Sequence, residues 1–193
     1  MSVVELAIDF SSADSYLAFG PTLDLVCDID AELCLHPFRV ELTRIDHVDE
    51  NSSVEMRHQF VRNSYRELNV VRYARVQKLP PLRTNPYEDT STALKGLALA
   101  NKSDSTLGVL YAERIFLSYW HDSKFDIEDT ECVLECLEEV GVSATSNQLA
   151  QTDLTLIREE LQGKGVIGVP MYLVKGEVFQ GRQHLPWIRE LLT

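Results

Sequence analysis

Residues 3–9 (VVELAID) form a short apolar run with partial alternation, which predicts a buried strand. A polar, turn-like stretch from Ser11 to Ser15 follows. Tyr16, Phe19, Leu23 and Val26 then recur at the spacing of a helical face, predicting a helix over 12–27. Pro21 lies inside it and is expected to kink or interrupt it, because proline lacks an N–H and crowds the preceding turn. Residues 31–40 alternate apolar and polar and predict a second strand, with Pro37 as its one irregular position. Two strands joined through a helix should run parallel.

The periodicity then changes. From Ser53 to Gly163 it is helical almost throughout, predicting helices over 53–78, 90–101, 104–120, 129–140 and 146–163. Breaks fall at Pro80-Pro81, Asn85-Pro86, near Ser103, across 121–126 and at Gly141. At the end of the chain MYLV (171–174) and EVFQ (177–180) flank Lys175-Gly176, a two-residue hairpin turn. Leu185, Ile188, Leu191 and Leu192 then mark a closing amphipathic helix. The order β-α-β, helical block, β-β-α predicts one mixed α/β sheet completed from both ends of the chain. That is the plan of a thioredoxin-like fold with a large all-helical insertion: residues 1–50 and 164–193 form the thioredoxin-like domain, and 51–163 the insertion.

Composition narrows the partners. The 18 Lys+Arg against 30 Asp+Glu give a net charge of −12, which argues against nucleic acid and against anionic membrane surfaces. No apolar run approaches the roughly 18 residues of a membrane-spanning helix, and MSVVELAIDF does not read as a signal peptide, so a cytoplasmic protein is expected. Cys27, Cys34, Cys132 and Cys136 show no C-x-x-C spacing and no zinc-like clustering with histidine, so they read as free thiols and no metal is expected.

Three places could carry chemistry. At the first strand-to-helix junction, Ser12 and Ser15 stand where a thioredoxin-like protein keeps C-x-x-C. A helix N-terminus favours an anion, and a serine hydroxyl there can donate a hydrogen bond to a thiolate supplied by another molecule. The same stretch also fits plain helix capping, with Ser11-x-x-Asp14 as a capping box. Gly168-Val169-Pro170, just before the hairpin, is the expected place for a cis peptide bond. Val169 would there offer its backbone to an extended ligand, or Pro170 simply opens a strand. Finally, Arg62, Tyr65, Asn69 and Arg72 fall within roughly 80° of one another on a helix, as either a ligand-facing wall or a solvated stripe.

Together these features resemble the 2-hydroxychromene-2-carboxylate isomerases and the related kappa-class glutathione transferases, in the DsbA-like branch of the thioredoxin superfamily. The family's opening Asp-Phe-x-Ser-Pro-x-Ser-Tyr-Leu is matched by residues 9–17 (DFSSADSYL). Its helical Lys-x-x-Tyr-x-x-x-Asp-x-x-Arg-aromatic is matched by Arg62, Tyr65, Asn69, Arg72 and Tyr73, followed by Leu79-Pro80. Gly-Val-Pro recurs at 168–170, and Gly-x-Asp-Arg-Leu as Gly181 to Leu185.

The resemblance implies a glutathione-dependent isomerase or transferase acting on an aromatic, conjugated carboxylate. Ser12 would be the catalytic residue, holding the glutathione sulfur as a thiolate. Ser15, Arg62, Val169, Pro170, Arg182, Gln183 and His184 would bind glutathione, and Tyr65, Asn69 and Arg72 the small-molecule substrate. A homodimer is also an option, since dimers are common in that family. The chain departs from the family pattern at Ala13, Asp14, Asn69, Gln183 and His184, and Asp14, Gln183 and His184 motivate an alternative, a diverged DsbA-like binding protein without glutathione activity. A dithiol oxidoreductase is disfavoured because no cysteine stands at the first helix N-terminus.

Overall fold

The computed structural model describes residues 2–40, 47–49, 51–83 and 88–193. It contains β1 (Val3–Ile8), α1 (Ala13–Asp28), β2 (Glu32–Pro37), α2 (Val54–Val76), α3 (Ser91–Ser103), α4 (Ser105–His121), α5 (Thr130–Glu139), α6 (Ser146–Gln151), α7 (Thr155–Gly163), β3 (Met171–Val174), β4 (Glu177–Gln180) and α8 (Leu185–Leu192). A single 3-10 turn, Arg182–His184, precedes α8. The chain divides into two compact units, residues 1–40 with 83–193, and residues 41–82. Helices of the 51–163 block are found in both. The expected break at Asn85-Pro86 lies outside the described residues.

In the larger unit the strands form one mixed sheet in the order β2-β1-β3-β4. β1 and β2 are parallel, from Val3 opposite Glu32 to Ile8 opposite Pro37, as two strands joined through a helix should be. β3 runs antiparallel to β1, with Ala7 opposite Met171, and the β3–β4 hairpin is antiparallel as its turn residues predict. Lys175 (φ 50°) and Gly176 (φ 82°) both adopt the left-handed conformation that a tight two-residue hairpin demands. Pro37 costs no ladder bond to a further strand, because it ends an edge strand.

Alternation along the strands divides two cores. On one face Ala7, Met171 and Leu173 pack with Phe38, Val166 and Leu161 of α7. On the other, Leu6 and Tyr172 stand opposite each other, and the Tyr172 hydroxyl meets Thr22 of α1 at 2.8 Å. Helices α3 and α4 pack on each other and against β2. Among the described residues, no helix is long and apolar enough to cross a membrane.

Two local expectations are corrected. Helix α1 is not interrupted at Pro21: it buries Tyr16, Leu17, Ala18, Phe19, Thr22, Leu25 and Val26, and that packing outweighs a missing donor. The helix expected over 146–163 is two helices. At the break, Thr152 turns its hydroxyl back onto the Gln148 carbonyl (2.8 Å), and Asp153 accepts from the Thr155 N–H (2.8 Å), so short polar side chains replace the helical ladder.

Candidate active site

Because β1 and β2 are parallel and β3 is antiparallel to β1, one end of the sheet gathers the exits of β1, β2 and β4 and the start of β3. The loop from β1 into α1 lies at that end, together with Val169-Pro170 and the 3-10 turn. The Val169-Pro170 peptide is cis, and the Gly181 N–H donates to the Pro170 carbonyl at 2.9 Å, tying the 3-10 turn to the start of β3. Gly181 sits at φ 86°, and a Cβ there would collide with Gln183 Oε1, so the turn is closed over its own glutamine. Gln183 Nε2 donates to the Gln180 carbonyl, and the His184 ring lies 5.8 Å from that of Phe179.

Ser12 caps α1. Its Oγ accepts from the Ser15 N–H at 3.2 Å, and its carbonyl receives the Tyr16 N–H at 3.0 Å. The Ser11-x-x-Asp14 capping box is therefore not the one formed: the cap lies one residue later, and Ser11 serves Asp9 instead. Ser12 is 8% exposed, and its hydroxyl proton has no acceptor among the described residues. Ser15 is fully buried, with its hydroxyl 3.4 Å from the Asp9 N–H. Asp14, in the first turn, pairs with Arg182 Nη1 at 3.3 Å.

Beneath this turn lies Asp9, a carboxylate with no solvent exposure. Its Oδ1 accepts from the Ser11 N–H (3.0 Å), the Ser11 hydroxyl (3.0 Å) and the Thr90 hydroxyl (2.7 Å), and its Oδ2 from the Val40 N–H (2.7 Å). Burial pushes its pKa above the usual carboxylate value, against the pull of these donors. The knot joins the β1 exit, the β2 exit and the start of α3.

A second set of contacts comes from the end of α4. Trp120 Nε1–H donates to the Phe10 carbonyl at 3.1 Å, its ring stacks on Tyr16 at 5.9 Å, and the Tyr16 hydroxyl meets His121 Nε2 at 2.7 Å.

The structure thus brings Ser12, Ser15, Val169, Pro170, Arg182, Gln183 and His184 to one end of the sheet in the larger unit. Arg62, Tyr65, Asn69 and Arg72 belong to α2 in the other unit, where Arg72 Nη1 donates to Asn69 Oδ1 at 3.2 Å and Tyr65 is 60% exposed. The cysteines lie elsewhere: Cys27 in α1 beyond its middle, Cys34 in β2, Cys132 and Cys136 in α5, all as free thiols. Burial, with carboxylates nearby, pushes Cys34 up to about 11, which makes it a poor thiolate.

Sequence reasoning overlooked Asp9, Thr90, Tyr16, Trp120 and His121. A carboxylate ending an apolar strand is a readable signal for Asp9. The α4 residues carry no such signal, since they meet α1 and its loop only through the fold.

Glutathione is the group this arrangement has to fit. An uncommitted hydroxyl proton at a helix N-terminus suits a sulfur anion. Val169, which makes no backbone hydrogen bond among the described residues, suits an extended peptide-like ligand.

Comparison with known proteins agrees with the architecture. A family model described as the DSBA-like thioredoxin domain matches residues 3–193. A 2-hydroxychromene-2-carboxylate isomerase structure superposes with a TM-score of 0.76 at 18% identity, over 98% of this chain and 94% of that one. A probable DsbA oxidoreductase from Streptomyces coelicolor gives 0.70 at 16%, over 100% and 89%. The cytosolic disulfide reductase DsbM from Pseudomonas aeruginosa, in a structure with GSH, gives 0.68 at 15%, over 98% and 96%. At such identities the likeness establishes the fold alone. No curated protein matches by sequence.

Proposed function

The chain belongs to the DsbA-like thioredoxin family, and on that scaffold we propose a cytoplasmic glutathione-dependent isomerase or transferase of the 2-hydroxychromene-2-carboxylate isomerase type. Its substrate class would be an aromatic, conjugated carboxylate. The observation that carries the reading is Ser12: a nearly buried hydroxyl at the N-terminus of α1, its proton without an acceptor among the described residues, where a dithiol enzyme would present a cysteine. When bound, glutathione would supply a nucleophilic thiolate suited to the conjugated double bond of such a substrate.

In this reading the chain's own residues hold and orient. Ser12 would donate a hydrogen bond from its hydroxyl to the sulfur, keeping its own proton, and the α1 dipole favours the anionic form. Ser15 sets the Ser12 oxygen by giving it a backbone N–H. Val169 offers an N–H and a carbonyl to the extended ligand, while Arg182, Gln183 and His184 frame the neighbouring turn. Of the α2 residues, Arg62 would bind glutathione, and Tyr65, Asn69 and Arg72 the substrate.

A test is the pH dependence of the ultraviolet thiolate absorbance of glutathione mixed with the protein. The bound thiol should ionise at lower pH than free glutathione, and millimolar glutathione should raise the melting temperature. Ser12→Ala should abolish the shift in thiol ionisation while costing about 1 kcal/mol of stability through the lost cap. Absence of both thiolate signal and calorimetric uptake in the wild type would reject the proposal. A second reading, a binding protein without glutathione activity, is favoured by the Asp14–Arg182 pair, which already engages the turn's arginine.

A further inference from the structure

We infer that Asp14 is a specificity-determining residue: it occupies the Arg182 guanidinium and must be displaced before a ligand carboxylate can use that cation. The inference rests on the glutathione reading and concerns how tightly, and through which charge, the same site takes its ligand.

Asp14 and Arg182 are 168 residues apart in sequence and meet at 3.3 Å. Both are largely shielded, with side chains 31% and 16% exposed, so the pair is less screened than an ordinary surface ion pair. Asp14 lies two residues beyond Ser12, in the first turn of α1. Arg182 opens the 3-10 turn that Gly181 pins to the Pro170 carbonyl. The pair therefore closes one flank of the turn that carries Ser12, where an anionic ligand would find the positive end of the helix.

Two consequences follow from charge. Glutathione carries two carboxylates, and one that approaches Arg182 meets a guanidinium already neutralised and a like-charged Asp14 beside it. Such a juxtaposition works against binding. Removing the Asp14 charge while keeping a polar side chain takes away the anion that neutralises Arg182 and repels the ligand carboxylate. The wild-type site is thus tuned towards ligands that are less anionic at this flank, or towards modest affinity for glutathione, and the tuning resides in a single residue.

The experiment is a calorimetric titration of glutathione into four full-length proteins: wild type, Asp14→Asn, Arg182→Gln and the double variant, each with its melting temperature. Asp14→Asn is expected to bind about fivefold tighter, the scale of one partly shielded ion pair. Arg182→Gln should weaken binding, because it removes the cation and leaves the Asp14 charge beside the ligand, and Asp14→Asn should bring a smaller gain in the Arg182→Gln background than in the wild type. The gain should shrink as salt is raised. Asp14→Ser provides the same charge removal should Asp14→Asn not fold.

Wild type binding while a folded Asp14→Asn binds equally or more weakly overturns the inference and leaves the glutathione reading standing. Binding by Asp14→Asn alone supports the inference and overturns that reading for the wild type. No binding by any of the four overturns both.

Discussion

The first turn of α1 and the polar stripe of α2 were both read from sequence as ligand-facing, yet they are constructed in opposite ways. Around α1, Ser12, Ser15, Asp9 and Ser11 are buried or nearly so, and their polar atoms are bonded to one another, to the Val40 N–H beyond β2 and to the Thr90 hydroxyl at the start of α3. Along α2, Arg62 and Arg72 are exposed, Tyr65 is 60% exposed, and the one hydrogen bond within the stripe joins neighbours on the same helix. A buried polar knot fixes geometry, because each unmade bond there would cost a desolvation penalty. An exposed stripe fixes charge and leaves geometry loose. The two regions should therefore respond differently to substitution: the knot through stability, the stripe through ligand affinity.

The sharpest way to break that contrast is Asp9→Ala. It leaves the N–H groups of Ser11 and Val40 and the hydroxyls of Ser11 and Thr90 without their acceptor in a site closed to solvent. Stability should fall by about 3 kcal/mol, measured by urea unfolding, since several buried donors are orphaned together. A loss below about 1 kcal/mol would mean that water or a local shift replaces the carboxylate, and that the knot does not fix the Ser12 turn.

A smaller effect should come from the contact that seats α1 on the sheet. Thr22 Oγ1 donates to the Ala18 carbonyl at 2.7 Å, so its one proton is engaged and Tyr172 must be the donor in their 2.8 Å contact. Burial pushes the Tyr172 phenol up to about 12. Its folded value lies above the ordinary value of 10, so its contribution to stability is fully present below pH 10 and is lost as the pH rises through about 12. Wild type should thus lose about 2–3 kcal/mol more than Tyr172→Phe across that window. At neutral pH Tyr172→Phe should be about 1 kcal/mol less stable. Parallel alkaline curves for the two proteins would show that Tyr172 keeps no such proton.

The same contrast explains what was legible. The strands, the hairpin with Lys175-Gly176, the first helix and the cis proline position were readable because each follows from residues adjacent in sequence. The mixed sheet and its parallel β1–β2 pair followed from element order. Asp9 was readable as an anomaly, but its partners Val40 and Thr90 lie 31 and 81 residues away, and Tyr16 meets His121 across 105. No local pattern encodes such pairs. The break between α6 and α7 escaped because a helical periodicity runs through Thr152 and Asp153 and conceals their bonds to nearby backbone. Asp14 was read as a capping partner of Ser11 and as a departure from the family pattern, because Arg182 is distant in sequence.

The smallest stability effect is expected on α2, and it is the one that separates a functional stripe from a merely solvated one. Arg62→Ala and Arg72→Ala remove exposed cations, so unfolding free energy should change by no more than about 0.5 kcal/mol for either. Asn69→Ala, which removes the acceptor for Arg72, should behave alike. If Arg62 binds glutathione as proposed, the double arginine variant should nevertheless bind glutathione about threefold or more weakly, with the loss diminishing at high salt. Affinity and stability both unchanged would make the stripe a solvated helix face, and would confine recognition to the α1 turn, Val169 and the Arg182 loop. A large loss of stability would contradict the contrast itself, because an exposed stripe with one internal hydrogen bond has little to lose.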